Sequence, residues 1–145
     1  MTAHRIFVCT SCAGKWSNGE RVGENGGEKL LKRLQDGYPN WELNTEFVIQ
    51  PVECMSACNR ACVVSFASPG KTTYLFGDIS SDLTPAEIND VFNCAGKYYT
   101  HPEGTLLRSE RPEILKKGIL ARIPAVELPI EKENIRIEPY SSKTV

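Results

Sequence analysis

The pattern of apolar and polar positions predicts an alternation of strands and helices over the first hundred residues. A stripe of leucines at spacing i, i+1, i+4 predicts an amphipathic helix over residues 28–35, ending near Gly37. A Pro-Gly turn signal within residues 68–71 predicts a hairpin between the strands on either side of it. Apolar runs bounded by turn residues predict four strands, over residues 5–8, 43–52, 62–67 and 72–76.

A closing helix after the hairpin carries the strongest local signal. Thr84 is a good N-cap, Pro85 suits the first helical position, and Glu87 completes a capping box. The apolar stripe of this helix, which we expect to lie in the core, is Ile88, Val91, Phe92 and Ala95. A strand-helix-strand unit followed by a hairpin and a closing helix is the layout of the thioredoxin-like fold. We therefore predict an α/β fold of that class.

Beyond residue 100 the sequence changes character. Prolines recur there and allow only short helices or strands between them. They stand at Pro102, Pro112, Pro124, Pro129 and Pro139. We predict one domain over residues 1–100 and a Pro-rich C-terminal extension over 101–145 that wraps it. Within the extension, a brief helix is expected between residues 113 and 123, and a short edge strand near residues 135–137.

Composition narrows the class of protein. The 145 residues are 41% hydrophobic and 24% charged, which is ordinary for a soluble globular protein. A formal net charge of −1 gives no electrostatic reason to expect nucleic acid or a membrane as a partner. No apolar run approaches the ~20 residues of a membrane span, and no signal peptide is visible, so we expect a cytoplasmic protein. Thiols are kept reduced there, and six cysteines then favour metal or redox chemistry over structural disulfides.

Five of the cysteines fall into two groups, Cys9 with Cys12, and Cys54 with Cys58 and Cys62. The four-residue spacing of the second group is typical of side chains on one face of a helical turn, about 6 Å apart. We expect the two groups to meet, because loops after the first and second strands lie close together in such a sheet. Thiolates select zinc, iron–sulfur clusters or copper(I). From spacing alone, iron–sulfur and zinc are equally favoured.

The motif Cys54-Met-Ser-Ala-Cys58 precedes a valine-rich strand, the Pro-Gly turn, Tyr74-Leu-Phe-Gly-Asp78 and the closing helix. In this order the chain, from about Ile6 to Tyr99, resembles the thioredoxin-like [2Fe–2S] ferredoxins. It is most similar to a bacterial branch described only as predicted metal-binding proteins of unknown function. That branch shares the opening Phe-Val-Cys-Thr-x-Cys and the segment Arg111–Pro124.

The resemblance implies a ligand set. Cys9 matches the first ligand of the ferredoxins, and Cys54 and Cys58 match the third and fourth. The second ligand has no counterpart about a dozen residues after the first, and Cys12 is the only substitute. We therefore predict that Cys9, Cys12, Cys54 and Cys58 bind the metal, with Cys62 as an alternative ligand. Were residues 54–62 one helix, Cys62 would lie about 12 Å along its axis from Cys54, too far to share a small cluster.

Together these features predict a small soluble ferredoxin-like protein that carries single electrons on a [2Fe–2S] cluster between redox protein partners. No catalytic constellation is visible, so we do not expect an enzyme. The alternatives are a Zn²⁺ or other metal-binding module, and a redox or iron sensor that uses the same cysteines. A disulfide oxidoreductase is disfavoured, because the Cys9-x-x-Cys12 motif lacks a preceding Trp and a flanking Gly-Pro. Ferredoxins of this type are often dimers, so a homodimer is a candidate assembly.

Overall fold

A five-stranded mixed sheet organises the part of the chain that the structure, a computed structural model, describes: residues 4–12, 14, 16–21 and 23–126. Its strands, in sheet order, are β4 (Phe47–Val52), β1 (His4–Cys9), β5 (Val64–Ala67), β6 (Thr73–Phe76) and β7 (Ile119–Ile123). β1 and β4 run parallel, and the other neighbours are antiparallel. A small separate ribbon pairs β2 (Trp16–Ser17) with β3 (Glu20–Arg21).

Two longer helices cover the core of this sheet, α1 (Gly26–Gly37) and α2 (Pro85–Thr100). The strand residues packed against their buried stripes alternate along each strand and share one face, as the period of two requires: Ile6, Val8, Val64, Phe66, Tyr74 and Phe76. A four-residue helix, α3 (Glu113–Lys116), and single 3₁₀ turns at Tyr38–Asn40, Cys58–Arg60 and Arg108–Glu110 complete the secondary structure. Within the described ranges, no helix has the length and apolar character that a membrane span needs.

The predicted order of elements is confirmed. β1, α1 and β4 form the parallel strand-helix-strand unit, β5 and β6 form the hairpin, and α2 closes the domain. The capping box that predicted α2 is present in full. The Thr84 hydroxyl accepts a hydrogen bond from the Glu87 amide at 3.2 Å, and the Glu87 carboxylate accepts one from the Thr84 amide at 3.1 Å.

The strand predicted over residues 43–52 is too long at its start. Residues 43–46 form a turn, in which the amides of Glu46 and Phe47 both donate to the Leu43 carbonyl, at 2.8 and 3.2 Å. The Tyr38 hydroxyl holds this turn in place, because its single proton is shared between the carbonyls of Asn44 and Phe47. β4 therefore begins only at Phe47.

The C-terminal region contributes a strand that the sequence pattern missed. The brief helix expected between residues 113 and 123 ends at Lys116, and residues 119–123 instead pair with β6 as the edge strand β7. The edge strand expected near residues 135–137 lies outside the described residues. The division of the chain at residue 100 stays a prediction.

Candidate metal centre

The carboxyl ends of β1 and β4 place the first two cysteine segments side by side. In the parallel pair, Cys9 lies opposite Val52, two residues before Cys54. The two chains stay together beyond the strands, since the Thr10 amide donates to the Val52 carbonyl at 2.8 Å and the Ser11 amide to the Glu53 carbonyl at 3.2 Å. Backbone pairing therefore joins segments more than forty residues apart in sequence.

Cys9 and Cys12 form a buried pair of thiols in this junction. Both side chains are fully buried. The Cys12 Sγ donates a hydrogen bond to the Cys9 Sγ at 2.9 Å, and the Ser11 hydroxyl lies 3.9 Å from the Cys9 Sγ.

An apolar cluster separate from the main core surrounds this pair. Cys9 and Cys12 pack with the buried Val63, and partly buried side chains cover the three: Met55, Ala57, Ala61, Leu75 and Leu120. Three of these covering residues come from the loop that carries Cys54 and Cys58. That loop therefore shields the two thiols from water.

The first turn of α1 packs directly on the backbone of the Cys9–Cys12 segment. The Gly27 amide donates to the Cys12 carbonyl at 3.0 Å, and a Cβ at Gly27 would lie only 2.0 Å from the Cys9 carbonyl oxygen. The buried Asn25 Nδ2 donates to the Thr10 carbonyl at 3.2 Å. Sequence reasoning missed these contacts, although paired glycines at a helix start are a visible signal for a close backbone approach. The Asn25 side chain makes no capping hydrogen bond to α1.

The Cys54 loop is not helical, although the four-residue spacing of its three thiols is typical of one helix face. Only Cys58–Arg60 form a 3₁₀ turn. The Cys54 side chain is exposed, and its Sγ accepts a hydrogen bond from the Ser56 amide at 3.3 Å. The side chain of Cys58 lies outside the described part of the structure. The loop does not form a helix because its backbone takes a positive φ of 57° at Ser56.

Residues after β6 anchor the far end of this loop. The Asp78 amide donates to the Arg60 carbonyl at 2.6 Å, and the Arg60 guanidinium forms an ion pair with the Asp78 carboxylate. Hydrogen bonds from Arg60 lower the pKa of Asp78, and the same bonds raise the pKa of Arg60. Gly77 makes this approach possible, because a Cβ there would lie 2.7 Å from the Arg60 carbonyl oxygen. The positive charge of Arg60 is therefore paired with Asp78.

Cys62 lies in a different environment from the first two thiols. It is 2% exposed and packs in the main core. Its backbone exchanges two hydrogen bonds with Ile79, at 2.9 and 3.2 Å. Burial, and then the proximity of Cys9 and Asp82, raise the pKa of its thiol. Cys62 is thus a buried core side chain, and its role as the alternative ligand stays a prediction.

The remaining candidate donors lie away from the junction. Burial raises the pKa of Cys94, on α2, to about 12. The His4 ring packs against Phe47 and Tyr99 at the opposite end of β1 from Cys9. His101 Nδ1 accepts hydrogen bonds from two backbone amides. Among the residues whose side chains are described, no three His, Cys, Asp or Glu side chains are grouped to hold a metal ion. The ligand set Cys9, Cys12, Cys54 and Cys58 stays a prediction.

Comparison with solved structures defines the class of fold. The chain is similar to a thioredoxin-like [2Fe–2S] ferredoxin from Aquifex aeolicus, with a TM-score of 0.50 and 16% sequence identity over 84% of this chain and 94% of that chain. The crystal structure of the wild-type thioredoxin-like [2Fe–2S] ferredoxin from the same organism gives a TM-score of 0.47 and 16% identity, over 83% and 99%. The predicted thioredoxin-like α/β fold is confirmed by the first of these.

The family follows from the sequence. Residues 6–125 match the model of a family described as "Protein of unknown function (DUF1636)", and the chain belongs to this family. No curated protein matches the chain.

Proposed function

We propose that the chain is a small cytoplasmic iron–sulfur protein that carries single electrons between redox protein partners and is not itself an enzyme. In this proposal Cys9, Cys12, Cys54 and Cys58 hold a [2Fe–2S] cluster. The observation that carries it is the hydrogen-bonded junction of β1 and β4, which joins a buried pair of thiols to the Cys54 loop at one edge of a thioredoxin-like sheet. The similar fold of a [2Fe–2S] ferredoxin supports the choice of cofactor.

The chemistry of the described residues fits such a group. Thiolates are the ligands of [2Fe–2S] centres, and Cys9 and Cys12 supply two sulfurs from one short segment. The apolar cover from Met55, Leu75 and Leu120 would limit access of water to metal and sulfide. Bound there, the cluster would supply reversible one-electron chemistry.

The surrounding residues then have distinct roles. The Ser56 amide, which donates to the Cys54 Sγ at 3.3 Å, stabilises negative charge on that sulfur. The ion pair between Arg60 and Asp78 fixes the loop and leaves little unpaired positive charge from Arg60 to shift the potential. Cys54 lies on the exposed side and Cys9 on the buried side, so the Cys54 loop is the side on which a redox partner would dock.

Electron paramagnetic resonance of anaerobically purified protein tests the proposal. We expect a signal of one unpaired electron per chain after chemical reduction, and no such signal from the oxidised protein. Single Cys→Ser variants at the four proposed ligands should weaken or abolish it, whereas Cys94→Ser, a matched change remote from the junction, should retain it. A wild-type protein that gives no signal and holds no iron would refute the proposal.

A zinc-binding module is the second candidate. It is favoured by the short separation of the Cys9 and Cys12 sulfurs, since a Cys-x-x-Cys pair is the usual half-site of a structural zinc centre. Zinc has no redox chemistry, so such a protein would stay colourless and give no resonance signal on reduction. Elemental analysis of the same preparation separates the two candidates.

A further inference from the structure

The two buried thiols form a redox-sensitive pair in their own right. The Cys12 Sγ lies 2.9 Å from the Cys9 Sγ and donates a hydrogen bond to it. We propose that Cys9 and Cys12 form a reversible disulfide in protein that carries no metal. The pair is then an oxidation site as well as part of the candidate metal centre.

Little movement separates the two thiols from a disulfide. The sulfurs of a disulfide are about 2.05 Å apart, so closing the bond brings them together by only about 0.9 Å. The backbone on both sides is already held, by the bonds from Thr10 and Ser11 to the end of β4 and by the bond from Gly27 to the Cys12 carbonyl. The bond can therefore form within one segment, without rearrangement of the sheet or of α1.

The other described thiols near the junction are poorer partners for Cys9. Cys62 lies near enough to Cys9 for the two thiols to interact, but it packs in the main core. Its amide and its carbonyl are both hydrogen-bonded to Ile79. Cys54 is exposed, whereas Cys9 is fully buried. The hydrogen bond between Cys12 and Cys9 thus marks the preferred pairing.

The burial of the pair selects the class of oxidant. Both thiols are fully buried, so a protein disulfide cannot reach them, and the oxidant that we propose is a small hydroperoxide. One thiolate attacks a peroxide oxygen, the O–O bond breaks, and a sulfenic acid and one water form. The second thiolate then attacks the sulfenic sulfur, the S–S bond forms, and the oxygen leaves as a second water. Two thiols are oxidised and one peroxide is reduced, with both thiol protons ending in water.

The disulfide has a consequence for the candidate metal centre, and this part rests on the proposed function. A cysteine in a disulfide has no thiolate to offer a metal, so oxidation removes two of the four proposed ligands at once. Reduction by a small thiol restores both. The pair then determines whether the protein can be loaded with metal.

Peptide mapping tests the disulfide directly. Metal-free, reduced protein is treated with hydrogen peroxide, quenched in acid, alkylated under denaturing conditions and digested with trypsin. Cleavage after Arg5 and Lys15 gives one peptide, residues 6–15, that contains both Cys9 and Cys12 and no other cysteine. We expect this peptide unalkylated and about 2 Da lighter than its dithiol form, and fully alkylated when a reductant precedes the alkylation.

Other products would overturn the inference. A crosslink between peptide 6–15 and peptide 61–71 would show that one thiol of the pair bonds to Cys62 instead, and sulfinic acids or full alkylation would show that the pair does not close. Cys94→Ser should behave as wild type, whereas Cys12→Ser should leave Cys9 without its intrapeptide disulfide. The wild-type peptide map decides the question even where Cys12→Ser fails to fold.

Metal uptake is measured separately on the oxidised and the reduced protein. We expect a loss of most of the uptake of iron and sulfide after oxidation, and recovery after reduction with a small thiol. If the reduced protein takes up no metal, the proposed function fails, and the peptide map still shows whether the disulfide between Cys9 and Cys12 forms. If uptake is normal but the 6–15 disulfide is not found, the inference about the pair fails alone.

Discussion

The contact between α1 and the Cys9–Cys12 segment gives the sharpest prediction. An Ala at position 27 would place its Cβ 2.0 Å from the Cys9 carbonyl oxygen and about 3.0 Å from two further backbone carbons. A normal contact is about 3.5 Å, so the helix must move away by roughly 1.5 Å. Overpacking of this kind costs about 1–3 kcal/mol, more than the ~0.5–1 kcal/mol that Gly→Ala can contribute within a helix. We expect Gly27→Ala to lower both the free energy of unfolding and the metal content.

Gly96→Ala is the matched control. It makes the same change within α2, where the nearest atom to a new Cβ is the Leu43 Cδ1 at an ordinary 3.5 Å. This variant should gain up to about 1 kcal/mol, because only the helix propensity changes. Urea denaturation of both metal-free variants measures the free energies, and elemental analysis of both purified proteins measures the iron. A Gly27→Ala protein as stable and as well loaded as Gly96→Ala would refute the close packing of α1 on the Cys9–Cys12 segment.

Three further predictions follow from the described contacts. Thr84→Ala removes the N-cap of α2 and should cost about 1 kcal/mol in urea denaturation, whereas a change below a few tenths would contradict the capping box. Cys62→Ala should cost about 1 kcal/mol for the buried atoms that it removes and leave the iron content unchanged; a loss of iron would instead make Cys62 a ligand. Burial, and then Lys71, lower the pKa of His4 below its ordinary 6.5, so the unfolded chain binds a proton at higher pH than the folded one. Stability should therefore fall as the pH drops through 6.5 toward the folded pKa, and His4→Phe should flatten this part of the pH–stability curve, whereas an unchanged curve would contradict the burial of His4.

Most of the fold could be predicted because its signals are local. The capping box of α2 depends on residues three apart, and the leucine stripe of α1 lies within two turns. The hairpin of β5 and β6 needs only a turn between two apolar runs. In each of these, the sequence pattern and the tertiary contacts favour the same structure.

The missed elements depend on contacts that are distant in sequence or very small. β7 is an edge strand, and only its pairing with β6 makes residues 119–123 extended. The ribbon of β2 and β3 pairs two residues on each side, too few for a periodic pattern. Its turn at Asn18 and Gly19 takes φ of 53° and 79°, however, and Asn-Gly is a strong hairpin signal, so the sequence did contain a clue.

The candidate site was predictable in position more than in geometry. The order of strands implied that the two cysteine segments would lie near each other, and the junction of β1 and β4 has this arrangement. The four-residue spacing of Cys54, Cys58 and Cys62 is typical of a helix. The backbone instead takes a positive φ at Ser56, and the Arg60 carbonyl accepts a hydrogen bond from the Asp78 amide. Neither feature is visible in the spacing of the cysteines. The roles of Gly27 and Gly77 depend on backbone approaches across the fold, which a single sequence does not encode locally.

The proposed iron–sulfur cluster is held by the thiols at the junction of β1 and β4. Iron and acid-labile sulfide in anaerobically purified wild-type protein test it most directly. We expect a red-brown protein with about 2 iron and about 2 sulfide per chain. A colourless protein with stoichiometric zinc and no sulfide would contradict it.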